Sequence, residues 1–463
     1  MSSPTDLAQP DRPPWVRLAV STLFLTAGVF LFGPTYLTHF RPPDGLMADF
    51  VQEWLSARNF FVGQPIYEPQ SASAARHLPQ LHPPGATFFL PYNAHPPGSV
   101  LVALPFAGLN YWDAHLSWNL VTSLLYVLAI GVAVCQLCRP FRGWHLLPLA
   151  AVVVWAEPVR ATIIYGQLNF LLAFCLTMGW AFDRRGKEIP AGVCVGLAAG
   201  LKLFPAAAFA YFLFSGRWRG LLAGVLTAVV VNGVAAGVFG VEAFQDYVRD
   251  VLPSLKAWEG SWPNDSLNGV WVRAVDPPPQ QAGSEAFRSP MLAKGGYGFT
   301  AAVVMMGVAW AGWRARKEGD PDVGWAAAVI ALPLVSPVAW QHYYAVCVVP
   351  LAVLAARLGG WRRAVGWVTV AGLSVKDIFY CWVLVSKSHF EKQSRTMPFF
   401  MPLDPVEVLL GTGVITYCGL VLFILAVTLP RRAESLTPGR PPGAAGPSPA
   451  SAGTPVPSPP PGP

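Results

Sequence analysis

Met47-Ala48-Asp49-Phe50-Val51-Gln52-Glu53-Trp54 follows the first apolar run of the chain and leads on to Gly63-Gln64-Pro65-Ile66-Tyr67. Phe50, Trp54, Ala57, Phe60 and Phe61 recur every three to four residues, the spacing of one helix face. The stretch therefore reads as an amphipathic helix lying along a membrane, at the mouth of a membrane-embedded chain. It sets one carboxylate, Asp49, beside the bilayer surface. Asp49 has two readings: a chemical centre, or an N-cap that accepts from the first N–H groups of the helix.

Composition supports the membrane setting. Of 463 residues, 53% are hydrophobic and 12% charged, where a soluble domain carries about 25% charged residues. An all-α polytopic membrane protein is expected. The run Val16 to Phe32 follows Arg12 and Arg17 and has no small-residue cleavage site behind it, so it reads as a signal-anchor helix. The net charge of +7 sits in short basic clusters between apolar spans, which excludes a nucleic-acid footprint. Seven cysteines (135, 138, 175, 194, 347, 381 and 418) fall in or beside apolar segments. Cys135 and Cys138 make a CxxC without a second pair, which argues against metal or redox chemistry and for small core residues.

Residues 1–14 are polar and Pro-rich and are expected to be a disordered cytoplasmic N-terminus. A membrane domain runs over 15–430, with long outer loops at about 35–114 and 241–296. The Pro-, Gly-, Ala- and Ser-rich tail, 431–463, cannot build a core and reads as disordered and cytoplasmic. Full spans are expected near 16–34, 115–137 and 218–240, and later spans near 297–313, 324–335, 338–357, 362–386 and 406–429. Between them lie apolar pieces, near 145–156, 162–181, 189–200 and 202–214, mostly shorter than the roughly 20 residues of a crossing. Broken helices with polar residues at the breaks belong where they are buried in protein or line a wet cavity. Basic clusters at Arg139/Arg142, Arg184/Arg185/Lys187, Arg217/Arg219, Arg314/Arg316/Lys317, Arg362/Arg363 and Arg431/Arg432 alternate with the polar breaks. The positive-inside rule then gives about 10–12 transmembrane or half-membrane helices, with both termini cytoplasmic and the breaks on the outer side. The Ala-, Pro-, Gly- and Trp-rich composition points to a bacterial inner membrane.

Ionisable groups at membrane depth are functional hypotheses by default. Lys202 interrupts an apolar run, and a cation at a helix break suits a phosphate oxygen; snorkelling to the interface is the plainer alternative. Arg160 and Arg273 can join it through a bidentate fork. Gln167 and Asn169 are neutral hydrogen-bonders near a helix start, equally suited to holding helices together. Trp340, Gln341, His342 and Tyr343 follow the break Ser336-Pro337 and suit a sugar platform, a phosphate ligand or an interfacial belt. Glu53, His82, His95, Glu157, Asn264, Asp265, Ser266 and Lys376 complete the outer-side candidates. The histidines lie far apart without HxxxH or a carboxylate-rich cluster, so neither a metal ion nor a cofactor is expected. No Gly-rich phosphate loop and no GxSxG elbow occurs, so a donor arrives through the membrane or from outside.

Six pieces together resemble glycosyltransferase family 87, the polyprenyl-phosphate-mannose-dependent mannosyltransferases with the multi-span C-type glycosyltransferase fold. They are Ala48-Asp49-Phe50 with Gly63-Gln64-Pro65-Ile66-Tyr67; His95-Pro96-Pro97; Gly166-Gln167-Leu168-Asn169; Gly200-Leu201-Lys202-Leu203-Phe204-Pro205; Asn264-Asp265-Ser266-Leu267-Asn268-Gly269; and Ser336-Pro337-Val338-Ala339-Trp340-Gln341-His342-Tyr343. They stand in the family's order from about 48 to 344. The resemblance implies an inverting hexosyltransferase with Asp49 as general base. Its substrates would be a polyprenyl-phosphate sugar donor, most simply mannose, and a lipid-linked or envelope glycan acceptor in contact with membrane lipids. Lys202, Arg273, His342, Gln167, Asn169, Asn264, Ser266, Trp340 and Tyr343 would hold the donor, and Glu53, His82 and His95 the acceptor. The chain departs from the family's usual Tyr-Pro-Pro at His95-Pro96-Pro97 and from Asn-Gln-Ser at Asn264-Asp265-Ser266.

The alternative from another class is a membrane transporter or lipid flippase, where broken helices are equally expected. Two long outer loops and the lack of an internal repeat argue against it.

Overall fold

The computed structural model describes residues 14–42, 48–81, 91–137, 146–278, 288–374 and 413–430. The expectations for 1–13, His82, Lys376 and the tail 431–463 lie outside these residues. In chain order the helices begin with α1 (Pro14–Phe40), α2 (Val51–Phe61), α3 (Gln70–His77), α4 (Pro97–Ala103) and α5 (Tyr111–Leu137). Next come α6 (Leu146–Trp155), α7 (Glu157–Tyr165), α8 (Asn169–Asp183), α9 (Glu188–Leu201), α10 (Phe209–Ser215) and α11 (Trp218–Phe239). The second long loop carries α12 (Glu242–Asp246), α13 (Leu252–Leu255) and α14 (Leu267–Val275). The chain then forms α15 (Pro290–Glu318), α16 (Pro321–Val335), α17 (Val348–Arg357), α18 (Gly360–Gly372) and α19 (Val414–Val427). The protein is an all-α polytopic membrane protein.

Among the described residues, four helices are long and apolar enough to cross a membrane: Leu18–Phe40 within α1, and α5, α11 and α15. The pair α6 and α7 makes a fifth if its 62° bend is one broken span. The break follows from Glu157-Pro158, because proline has no N–H and opens a new helix at its first turn. Seven further apolar helical segments have 10–17 residues, so a count near twelve rests on how many of these are crossings. One apolar piece and one expected span are divided. The segment 162–181 breaks between Tyr165 and Asn169, and 338–357 begins with a 3₁₀ turn, Gln341–Val346, before α17.

Leu37 and Phe30 of α1 are 80% and 83% exposed, a face that fits lipid rather than water. In α16, by contrast, thirteen consecutive residues from Asp322 to Leu334 are buried. A helix apolar all round belongs at the centre of a bundle, and α16 packs against α15, α17 and α19. Its start is tied to α8 by a reciprocal pair: Trp180 Nε1 donates to Asp322 at 2.9 Å and Trp325 Nε1 donates to Asp183 at 2.8 Å. Arg184 and Arg217 neutralise the two carboxylates at 3.3 and 2.7 Å. Between α9 and α11 the backbones meet directly. A Cβ at Gly192 or Gly196 would collide with the carbonyl of Gly220 or Gly224, so the four-residue glycine spacing is what permits the close approach.

The helix α2 covers more than its apolar stripe. Val51 to Ala57 and Asn59 are buried, including the polar Gln52, Glu53, Ser56 and Asn59. These polar groups find partners in the following loop. Ser56 Oγ donates to Ile66 O at 2.7 Å, Asn59 Nδ2 to Ser73 Oγ at 2.7 Å, and Gln52 Oε1 accepts from Ala94 N at 3.0 Å.

Candidate active site

A cavity of about 770 Å³ opens among the first outer loop, the breaks after α7 and α9, the second long loop and the segment 335–343. Asp49, His95, Gln167, Lys202, Trp340, His342 and Tyr343 all line it. They come from five of the six family-like pieces, which lie far apart in the chain.

Asp49 does not cap α2. The N-cap is Phe50, without a side-chain cap bond, and the carboxylate turns instead to Gln167, whose Nε2 donates to Oδ2 at 2.9 Å. The backbone beside it is clamped: Phe50 N donates to Tyr165 O at 3.0 Å, and the Phe50 ring stacks on Trp118 at 5.1 Å. Trp118 Nε1 in turn donates to Gly166 O at 2.8 Å. Gly166 ends α7 with φ +65°, and a Cβ there would sit 2.8 Å from both the Phe50 Cβ and His115 Nε2. Only glycine satisfies both the left-handed turn and that contact. The turn is what aims Gln167 at Asp49.

Part of Asp49 opens onto the cavity, yet the surrounding protein strips most of its water, and its carboxyl is pushed up to about 6. The Gln167 hydrogen bond offsets this, the nearby Glu53 charge adds to it, and the Lys202 charge opposes it.

Lys202 is buried at the C-terminus of α9, where Pro205 prevents the helix from continuing. Its Nζ donates to Gln167 Oε1 at 3.2 Å and lies 4.1 Å from the Tyr343 ring centroid. The Tyr343 ring stacks on Phe204 at 4.7 Å. One amide thus touches both the acid and the cation. The snorkelling alternative does not hold, since the ammonium turns inward to the cavity.

The remaining expected site residues divide. Trp340 lies parallel to His342 at 6.4 Å, and Tyr165 meets His342 edge-on at 5.7 Å, an aromatic wall of the cavity. Glu53 is buried against His95 Nδ1, behind the lining. Asn169 is buried at the start of α8 and does not line the cavity. Arg273 is also outside the lining; its Nη1 donates to Ser261 O and Asn264 O at 2.7 and 2.9 Å, so it braces the second loop. Arg160 stacks on Phe32 at 4.3 Å, and neither it nor Glu157 reaches the cavity lining.

Asn264 and Ser266 are splints rather than lining residues. Asn264 Nδ2 donates to Glu259 O and Pro337 O at 2.8 and 3.1 Å, while its Oδ1 accepts from Ala339 N and Ser266 N at 3.0 and 3.2 Å. Ser266 caps α14 by accepting from Gly269 N, and it also donates to Pro337 O at 3.2 Å. Asn268 adds a third donor to Pro337 O at 3.1 Å. The two pieces 264–269 and 336–343 therefore act as one unit that holds the Trp340 wall.

Gln52, Tyr165, Tyr247, Lys256, Trp258 and Glu259 also line the cavity and were not singled out in the sequence. Trp258 and Trp340 lie 5.5 Å apart. A tryptophan flanked by Lys and Glu in an outer loop was the one available signal for this wall. A base, a cation and a row of aromatic rings around one cavity can bind a sugar, take a proton from a nucleophile and neutralise an anionic leaving group.

Comparison with known proteins agrees with this chemistry. A polyprenol-phosphate-mannose-dependent α-(1-2)-phosphatidylinositol pentamannoside mannosyltransferase of Mycolicibacterium smegmatis is 28% identical over 290 residues. The match covers 58% of this chain and 66%, just under two thirds, of that protein. A polyprenol-phosphate-mannose-dependent α-(1-2)-phosphatidylinositol mannoside mannosyltransferase of Mycobacterium tuberculosis is 26% identical, covering 77% of this chain and 81% of the relative. An α-(1->3)-arabinofuranosyltransferase of Corynebacterium glutamicum is 27% identical, covering 48% and 50%. No solved structure matches the chain. The profile of glycosyltransferase family 87 matches residues 93–337, more than half of the sequence. This chain therefore belongs to glycosyltransferase family 87.

Proposed function

We propose that the protein is an inverting hexosyltransferase that moves mannose from a polyprenyl-phosphate sugar to a lipid-linked or envelope glycan on the outer face of a bacterial inner membrane. One observation carries this reading: Asp49 and Lys202 line a single cavity and contact the same Gln167 amide. An acceptor hydroxyl gives its proton to Asp49 as its oxygen attacks the anomeric carbon. The bond from that carbon to the phosphate oxygen breaks, and the lipid phosphate leaves with the electron pair. A single displacement inverts the anomeric configuration. Lys202 stabilises the charge that gathers on the leaving phosphate, and His342 lines the same cavity. Trp340 and Tyr343 offer the sugar a ring face. The two mannosyltransferase relatives support a polyprenol-phosphate-mannose donor. The arabinofuranosyltransferase relative makes the sugar the point to test. These relatives are named as transferases, which favours this reading over a transporter.

The test is sugar transfer in membranes with labelled polyprenyl-phosphate-mannose, comparing wild type with Asp49→Asn and Lys202→Ala at equal protein level. Transfer by wild type that Asp49→Asn abolishes supports the reading. Transfer that survives Asp49→Asn near the wild-type rate removes Asp49 as the base, and a wild type that transfers nothing removes the donor.

A further inference from the structure

His95 is a buried cavity-lining residue held at three of its four polar atoms. Its N–H donates to Asn93 Oδ1 at 3.0 Å, its carbonyl accepts from Tyr67 Oη at 2.6 Å, and its Nδ1 contacts Glu53 Oε1. The next two residues, Pro96 and Pro97, stiffen the backbone, and Pro97 opens α4. Such a residue cannot swing away from the cavity. Glu53 is itself fixed within α2, four residues after Asp49.

The partner on Nδ1 decides what the ring can offer. An ionised carboxylate only accepts, so Nδ1 carries the hydrogen. In a neutral ring Nε2 is then a bare acceptor. Burial holds the imidazole neutral, and the Lys202 charge acts in the same direction against the pull of Glu53. Nε2 is thus a hydrogen-bond acceptor of fixed orientation in the same cavity as Asp49, and it complements an O–H group. A phosphate oxygen, which only accepts, has no bond to make with it.

On the reading proposed above, we infer that Glu53 and His95 form a positioning dyad for the acceptor. His95 Nε2 receives the hydrogen bond of a second hydroxyl on the acceptor's terminal hexose ring, while Asp49 takes the reactive one. Glu53 acts through His95 by fixing its tautomer. Glu53→Leu would remove that acceptor and leave the hydrogen free to sit on either ring nitrogen.

The experiment uses the full-length protein in membranes with labelled polyprenyl-phosphate-mannose, octyl α-mannopyranoside and the monodeoxy analogues of that mannoside. In wild type, one deoxy analogue should lose about five- to tenfold in acceptor kcat/KM, the worth of one neutral hydrogen bond. In His95→Ala the mannoside itself should lose as much, through the acceptor KM with the donor KM unchanged. The same deoxy analogue should then lose nothing further, because the pair makes a single interaction. Glu53→Leu should raise the acceptor KM and leave the donor KM unchanged, without removing a ring from the core. Equal relative losses for every analogue in wild type and His95→Ala, or a Glu53→Leu acceptor KM at the wild-type value, would overturn the dyad. Wild-type membranes that label their own lipids but not the mannoside overturn this inference alone. Membranes that label neither overturn the underlying reading.

Discussion

Gln167 Nε2 donates to Asp49 Oδ2 at 2.9 Å across 118 positions of sequence. The same side chain accepts from Lys202 Nζ through Oε1, so its amide orientation is set from both ends. It orients the carboxylate, moderates its basicity and fixes the distance between acid and cation.

With the Asp49 carboxyl pushed up to about 6, transfer should rise as pH increases through about 6 and be lost below it, because only the ionised form accepts a proton. Asp49→Asn should lower the rate by about 10²- to 10⁴-fold, the range for a positioned base. A pH–rate profile of transfer in membranes checks both.

Gln167→Met removes a bond that favours the ionised carboxylate. The acidic limb of the profile should therefore move above 6. A limb that stays in place would mean the bond does not govern Asp49.

Lys202→Ala should cost about 10²- to 10³-fold in turnover, as removal of a stabilising donor does at other developing anions. Lys202→Arg should not restore it, since the ammonium sits buried 4.1 Å from the Tyr343 ring, where a planar fork is larger. Single-turnover transfer separates this loss from weaker donor binding.

Asn264→Ala leaves the carbonyl of Glu259 and the N–H groups of Ser266 and Ala339 short of a partner, while Pro337 O keeps Ser266 and Asn268. Each unsatisfied buried group costs about 1–3 kcal/mol. Thermal unfolding in detergent should fall clearly, and the loss of activity should follow the loss of folded protein.

Gly166→Ala combines a left-handed backbone with a Cβ 2.8 Å from Phe50. The backbone strain alone is about 1–2 kcal/mol. Activity should fall further than stability, because the displaced turn carries Gln167. Parallel measurement of melting and transfer distinguishes the two.

The sequence by itself determined the membrane class, the helical architecture and the polar breaks, since 53% hydrophobic composition with ionisable groups at helix breaks has few other solutions. Asp49, Gln167 and Lys202 were legible because each is a costly residue in an apolar setting. Which polar residues face the cavity was decided by tertiary structure alone. Asn264, Ser266 and Arg273 have the chemistry of phosphate ligands, yet a loop folded back on itself leaves backbone carbonyls that need donors, and these side chains supply them. Lys256, Trp258 and Glu259 read as ordinary outer-loop residues until the chain brings them to the cavity. Spacing reveals which residues share a helix face; which distant faces meet is a property of long-range packing that no local pattern encodes.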